Sequence, residues 1–171
     1  VPFAPGGGAD VSARVLAEQL APQLGQAVIV ENKPGAGSAL GVNAAAQAKD
    51  GHTLLMGSNS MVINPSFNAA IGYDVPRDFD AVGMVSAQPL VLVVPVVSPI
   101  KSVQELVAQY KGKPASLMAG NSGTGTLAHL AAELFEAETG VGLTPVPYRG
   151  ESALMPDLIS GQVSLGFLNL P

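Results

Sequence analysis

The sequence predicts an α/β chain of two lobes, each with a mainly parallel sheet flanked by helices. Three observations carry that prediction. Strand-like and helix-like stretches alternate from start to finish, Gly-rich loops follow strand-like runs in both halves, and 47% of the 171 residues are hydrophobic against 12% charged. Alternation of this kind sets helices on the faces of parallel sheets. A mean hydropathy of +0.35 supplies ample apolar material for a core and argues against disorder.

Taken in order, Val1–Phe3 read as the end of a strand, followed by the loop of "VPFAPGGGAD" (1–10). A helix comes next, with Val11, Val15, Leu20 and Leu24 at helical spacing and Asp10 placed to cap it. "AVIVEN" (27–32) reads as a short buried strand, "KPGAGSALGVNAAAQAKD" (33–50) as a Gly turn opening an Ala-rich helix, and "HTLLMGSN" (52–59) as the next strand. "YDVPRDFD" (73–80) is a polar turn in which Asp78 and Asp80 serve capping and turn formation.

Residues 81–100 hold no charge and are long enough to span a bilayer. Pro89, Pro95 and Pro99 break the run and Val dominates "PLVLVVPVV", so it reads as a pair of buried strands, one carrying the chain between lobes. The lobes divide as 1–88 and 89–171. In the second, "SVQELVAQY" (102–110) is a helix and "ASLMAGNSG" (115–123) a strand then loop. A helix follows from about Thr126 to Thr139, with Leu127, Leu130, Ala131, Leu134 and Phe135 as its apolar stripe. "LTPVPYRG" (143–150) is strand and loop, "ESALMPDLISG" (151–161) a helix, and "QVSLGFLNL" (162–170) a last strand. Opening on Val1 and stopping at Pro171 after a strand-like run, the chain reads as an internal piece of a longer protein.

Composition excludes several functions. The net charge is −5, the pI is near 4.8, and the eight basic residues form no run, which argues against a nucleic-acid partner. Without cysteine there is no disulfide, thiol nucleophile or Cys-based zinc site. The two histidines, His52 and His129, make no metal cluster evident, and no cofactor signature occurs. "GNSGT" (120–124) imitates the G-x-S-x-G elbow of a hydrolase, but Thr124 replaces the final Gly and His129 precedes Asp157, against that fold's order. The chain is therefore expected not to be an enzyme, with a truncated α/β hydrolase as the weaker alternative.

The Gly-rich loops point elsewhere. In parallel sheets ligands sit where strand ends feed helix N-termini, whose free N–H groups and partial positive charge suit a carboxylate or phosphate oxygen. Gly6, Gly7 and Gly8 leave bare backbone in the first half, and Ser122, Gly123, Thr124, Gly125 and Thr126 add hydroxyls in the second. Arg149, in "YRG", is the cation beside a Gly loop.

"VPFAPGGGAD", "VIVENKPGAGS", "GHTLLMGSNS", "YDVPRDF", "GNSGTGTLAHLAAELF", "VPYRG" and "DLISGQV…FLNLP" occur in this order over the whole chain. Together they resemble the extracytoplasmic solute-binding receptors of tripartite tricarboxylate transporters, the Bug and TctC proteins. The resemblance implies a type II periplasmic binding protein-like fold, with crossing strands as hinge and a C-terminal part that this chain lacks. It also implies non-enzymatic capture of a small carboxylate, delivery to membrane transporter subunits, a monomeric full-length protein and a periplasmic location, with the signal peptide upstream of Val1. A sensor's ligand-binding module is the alternative role.

Carried over residue by residue, the first loop supplies Phe3, Pro5, Gly6, Gly7, Gly8 and Asp10, with Ser58 and Asn59 completing that wall. Ser122, Gly123, Thr124, Gly125 and Thr126, with His129 behind, face them, and Tyr148, Arg149 and Asn169 complete the cleft. The family's last motif often carries acids where this chain has Ser164 and Leu168, so the expected ligand is a plain mono- or dicarboxylate, with an apolar or aromatic body allowed. Made alone, the fragment is expected to leave open sheet edges and to fold poorly.

Overall fold

Residues 1–89 fold as helices linked by extended chain, and residues 90–169 as a sheet with helices on both faces, in a computed structural model that describes residues 1–170. The first half holds α1 (Gly8–Leu24), α2 (Ala39–Gln47), α3 (Asn59–Phe67) and the single turn α4 (Val75–Asp78). Ala39, Val42 and Tyr73 form its buried cluster, with Leu55, Met61, Ile71 and Phe79 packed around them. In α4 the cap is Asp74, not one of the expected Asp78 and Asp80: its carboxylate accepts from the Arg77 amide (2.9 Å), while Asp78 accepts from the Asp74 amide (2.8 Å) and pairs with Arg77.

Three further expectations for this half need correction. "AVIVEN" is extended but is no buried strand: Ile29 is 83% exposed, and the stretch pairs across only at Val1, whose N donates to Glu31 O and whose O accepts from Lys33 N. Residues 52–58 and 81–89 likewise carry no ladder, a tight turn closing within the former from Gly57 N to Leu55 O (3.0 Å), and the run read as two buried strands yields one short strand, with Val82 88% exposed. A strand requires a neighbour along its whole length to satisfy its N–H and C=O groups, and these stretches have none among the described residues. Third, α1 presents Asp10, Ala13 and Ala17 inward and leaves Val11, Val15 and Leu24 exposed. The anchored carboxylate of Asp10 sets the helix rotation, as the site geometry below shows.

The second half follows the sequence closely. β1 (Leu90–Val93), α5 (Val103–Tyr110), β2 (Leu117–Asn121), α6 (Leu127–Thr139), β3 (Leu143–Pro147), α7 (Glu151–Ser160) and β4 (Leu165–Asn169) succeed one another. The sheet order is β1-β4-β2-β3; β2 runs parallel to β3 and β4, while β1 pairs antiparallel with β4. One face carries Leu117, Ala119, Leu165 and Phe167 against Leu106 of α5 and Ala128 and Ala132 of α6. The contact of α6 is thus made by its alanines, with Ala131 and Phe135 at the margin and Leu134 exposed. On the other face Leu154 and Leu158 of α7 pack with Val163, and the Leu154 methyls occupy the space over Gly120 that any side chain there would need.

The outer edge at β3 is chemically closed. Tyr148 N donates to Asn121 O of β2, so the N–H groups of even-numbered residues face inward and those of 143, 145 and 147 face out. Positions 145 and 147 are prolines with no N–H, and Leu143 N donates to Glu136 Oε2 (3.1 Å).

Among the described residues no helix is long and apolar enough to cross a membrane.

Candidate functional site

Four helices begin on one cleft of ≈ 370 Å³ between the two halves. α1 contributes Gly7, Gly8, Ala9 and Ser12; α3 contributes Ser58, Asn59 and Ser60; α6 contributes Thr126, Leu127 and Ala128; α7 contributes Glu151. Phe3 and Ala4, Met56 and Gly57, Met84 with Ser86–Gln88, Ser122 and Asn169 fill the rest of the wall. The first turn of each helix leaves amides without intrahelical partners. Neither Gly7 nor Ser58 caps its helix through a side chain, and the amides of Gly8, Ala9, Asn59, Ser60, Leu127 and Ala128 have no partner among the described residues. Each helix also directs the positive end of its dipole, about half an elementary charge, at its first turn. No Lys or Arg lines the cleft, and Glu151 is the lining residue that carries a charge.

The first loop is held from behind by Asp10. Its carboxylate is 2% exposed and accepts from the Gly6 amide (2.8 Å), Asn32 Nδ2 (2.9 Å) and Arg14 Nε (3.0 Å). Arg14 and these donors hold the carboxyl well below its usual range, at about 2. Asn32 Nδ2 also donates to Phe3 O (3.1 Å), which ties the loop to the extended stretch beside it. Asp10 and Gly6, both expected to face the ligand, therefore brace the loop: the Gly6 amide is committed, and neither residue lines the cleft. Pro5 is exposed and has no amide to offer.

A hydroxyl chain reaches the opposite wall. Ser38 Oγ, 1% exposed, donates to Ser60 Oγ (3.0 Å), which lies 2.6 Å from Ser58 Oγ. When Ser60 gives its single proton to Ser58, the Ser58 hydroxyl keeps its own for an acceptor in the cleft, and each bond polarises the next. Ser60→Ala in the full-length protein is expected to weaken carboxylate binding about tenfold by calorimetry. Unchanged affinity would show that Ser58 does not donate to the ligand.

In the second half the expected loop divides. Ser122 and Thr126 line the cleft. The Gly123 amide donates to Asn121 Oδ1 (3.0 Å), the Gly125 amide to His129 Nδ1 (3.4 Å), and the Thr126 amide to Gly123 O (3.2 Å). These three amides are not available to a ligand; those of Leu127 and Ala128, one turn on, are. Gly123, Thr124 and Gly125 instead meet the first half. Gly37 (φ 59°) lies in a 3-10 turn, Ala36–Ser38, against Gly123 and the Thr124 carbonyl, and Asn64 Nδ2 donates to Gly37 O (2.6 Å). His129 stacks at a tilt on Phe67, with ring centroids 6.3 Å apart, and its Nε2 lies 3.6 Å from Glu133.

Two further expectations are corrected. Tyr148 turns away from the cleft to donate its hydroxyl to Asp157 (2.6 Å), which pushes the phenol up to about 12. Arg149 is exposed and outside the cleft lining. Of the residues named from sequence, Phe3, Gly7, Gly8, Ser58, Asn59, Ser122, Thr126 and Asn169 come together on one surface. Sequence reasoning passed over Ala9, Ser12, Ser60, Gln88, Leu127, Ala128 and Glu151. The acid opening α7 is a helix-start signal that marks one of these places, Glu151.

Residues 12–171 match the model of the tripartite tricarboxylate transporter family receptor. Protein BugT of Bordetella pertussis is 41% identical over 174 residues, spanning 100% of this chain and 53% of BugT. A solved periplasmic transporter superposes with a TM-score of 0.94 at 37% identity, over 99% of this chain and 58% of its own. Rpa4515 of R. palustris, solved with adipate, gives 0.91 at 33% identity, over 100% and 58%. The chain thus spans little more than half the length of the proteins it matches.

Proposed function

The chain belongs to the tripartite tricarboxylate transporter receptor family, and we propose that it forms the ligand cleft of a periplasmic solute-binding protein that captures a small carboxylate. The family is one of receptors rather than enzymes. In this reading residues 1–88 and 89–171 are parts of two lobes that meet around the ligand, and the loaded monomer delivers it to the membrane transport subunits. The observation that carries the reading is the convergence of four helix N-termini on a cleft without a lysine or arginine.

An anion there is held by oriented amides rather than by a counter-charge. The Gly8 and Ala9 amides take one carboxylate, with the Asn59 amide and the Ser58 hydroxyl on the adjoining wall. Ser122, Thr126 and the Leu127 and Ala128 amides face them across the cleft. The protein's charge of −5 does not oppose this, because dispersed surface charge is screened beyond about 8–10 Å in ordinary salt.

Calorimetry of the full-length protein against adipate and a panel of mono- and dicarboxylates tests the proposal. Saturable one-site binding of a carboxylate is expected, with thermal stabilisation of about 2.7 kcal/mol at a hundred times Kd. No binding of any carboxylate, or chemical turnover of the one bound, sinks it.

A further inference from the structure

We propose that Glu151 sets the specificity of the cleft, and that the ligand carries a hydroxyl or ammonium donor for this side chain besides its carboxylate. The inference rests on the carboxylate-capture reading above. Glu151 opens α7 and lines the cleft. Its Oε1 is committed, accepting from Asn169 N (3.0 Å) and Asn169 Nδ2 (2.6 Å). Its Oε2 has no hydrogen-bond partner among the described residues. An ionised carboxylate only accepts, so a ligand group that meets Oε2 favourably must donate.

The mounting is rigid. Asn169 lies in β4 opposite Leu90 of β1, and both of its donors converge on one oxygen. A side chain held by two bonds from a strand can offer its second oxygen without further ordering cost. An acid at the start of α7 also complements that helix's dipole, but this role asks for no bond to Asn169 and no place on the cleft wall. A second ligand carboxylate near Glu151 would meet like charge with no lysine or arginine in the lining to offset it. This replaces the expectation of a plain dicarboxylate with that of a hydroxy- or amino-monocarboxylate.

The test is calorimetry on the full-length protein with ligands of one carbon count: butanoate, 2- and 4-hydroxybutanoate, 2- and 4-aminobutanoate, and succinate. At least one hydroxy or amino member is expected to bind about ten- to a hundredfold tighter than both butanoate and succinate. Glu151→Gln should cut that advantage by about tenfold or more, most for an ammonium. Should the variant fail to fold, the ranking on the unaltered protein decides. Succinate or butanoate binding as tightly as every donor-bearing member, or an advantage that survives Glu151→Gln, overturns the role of Glu151 and leaves carboxylate capture standing. Binding of none of the six overturns the role of Glu151, and carboxylate capture falls with it only if adipate and the wider carboxylate panel also fail to bind.

Discussion

Gly37→Ala in the full-length protein is expected to lower ligand affinity roughly ten- to a hundredfold. At φ 59° the residue sits in the left-handed region, where a Cβ costs about 1–2 kcal/mol whatever surrounds it. That strain acts with or without ligand and shows as a modest loss of thermal stability. The larger effect is local to the contact between the halves, because the new Cβ would overlap the Thr124 carbonyl oxygen. A backbone oxygen cannot swing aside as a side chain can. The halves must therefore separate, at a cost of about 1–3 kcal/mol, and the cleft then admits water between amide and carboxylate. Calorimetry reads the affinity and a ligand-free melt reads the strain. Full affinity in the variant would mean that the halves do not meet at this point when the ligand is bound.

Asp10→Asn is the second large expected effect. The native carboxylate receives donors from Gly6, Asn32 and Arg14 in a site with almost no solvent access. An amide in its place turns one N–H group toward those donors and leaves a buried polar group unsatisfied, at a cost of about 3 kcal/mol, or a fall in Tm of roughly 5–10 °C. Binding weakens as well, because the Gly6 turn presents the Gly8 and Ala9 amides.

The acid sensitivity of this brace has a definite sign. The folded pKa of Asp10 is depressed to about 2 from 3.8, so its stabilising contribution is complete above pH about 4 and is lost as pH falls through about 2. Denaturant unfolding between pH 5 and 2 should show that loss in the unaltered protein and a shallower acid limb in Asp10→Asn. Parallel limbs in the two proteins would contradict the assignment.

The second half was legible in the sequence because every element there carries its own local signal. Ser102 with Glu105 and Thr126 mark helix starts, Gly140 and Gly161 mark helix ends, and the apolar runs between them find neighbours within the same half. The first half was less legible, since an apolar run such as "AVIV" reports strand preference but not whether a partner chain lies beside it. The rotation of α1 was misread for a related reason. Four aliphatic residues outvoted Asp10 in any periodicity count, yet one buried carboxylate with three donors decides which face turns inward.

For the site, the glycines marked bare backbone but coincide with the cleft only in part: Gly7 and Gly8 line it, while Gly6, Gly123 and Gly125 do not. They could not announce which amides are free. Asn121 and His129 intercept those of Gly123 and Gly125, and neither interception has a sequence signature. Glu151 was passed over because an acid opening a helix ordinarily reads as a dipole complement, and its bond to Asn169 appears only once α7 is set beside β4.

The closed margin at β3 bears on how copies of this sheet can associate. Endless fibril growth by strand addition needs two adhesive borders per molecule, so that each newcomer presents a fresh surface to the next. Here an incoming strand would find carbonyl acceptors but no donor at 143, 145 or 147, so this border of the four-stranded sheet cannot template. Strand addition at this margin is therefore blocked, whatever pairs across β1.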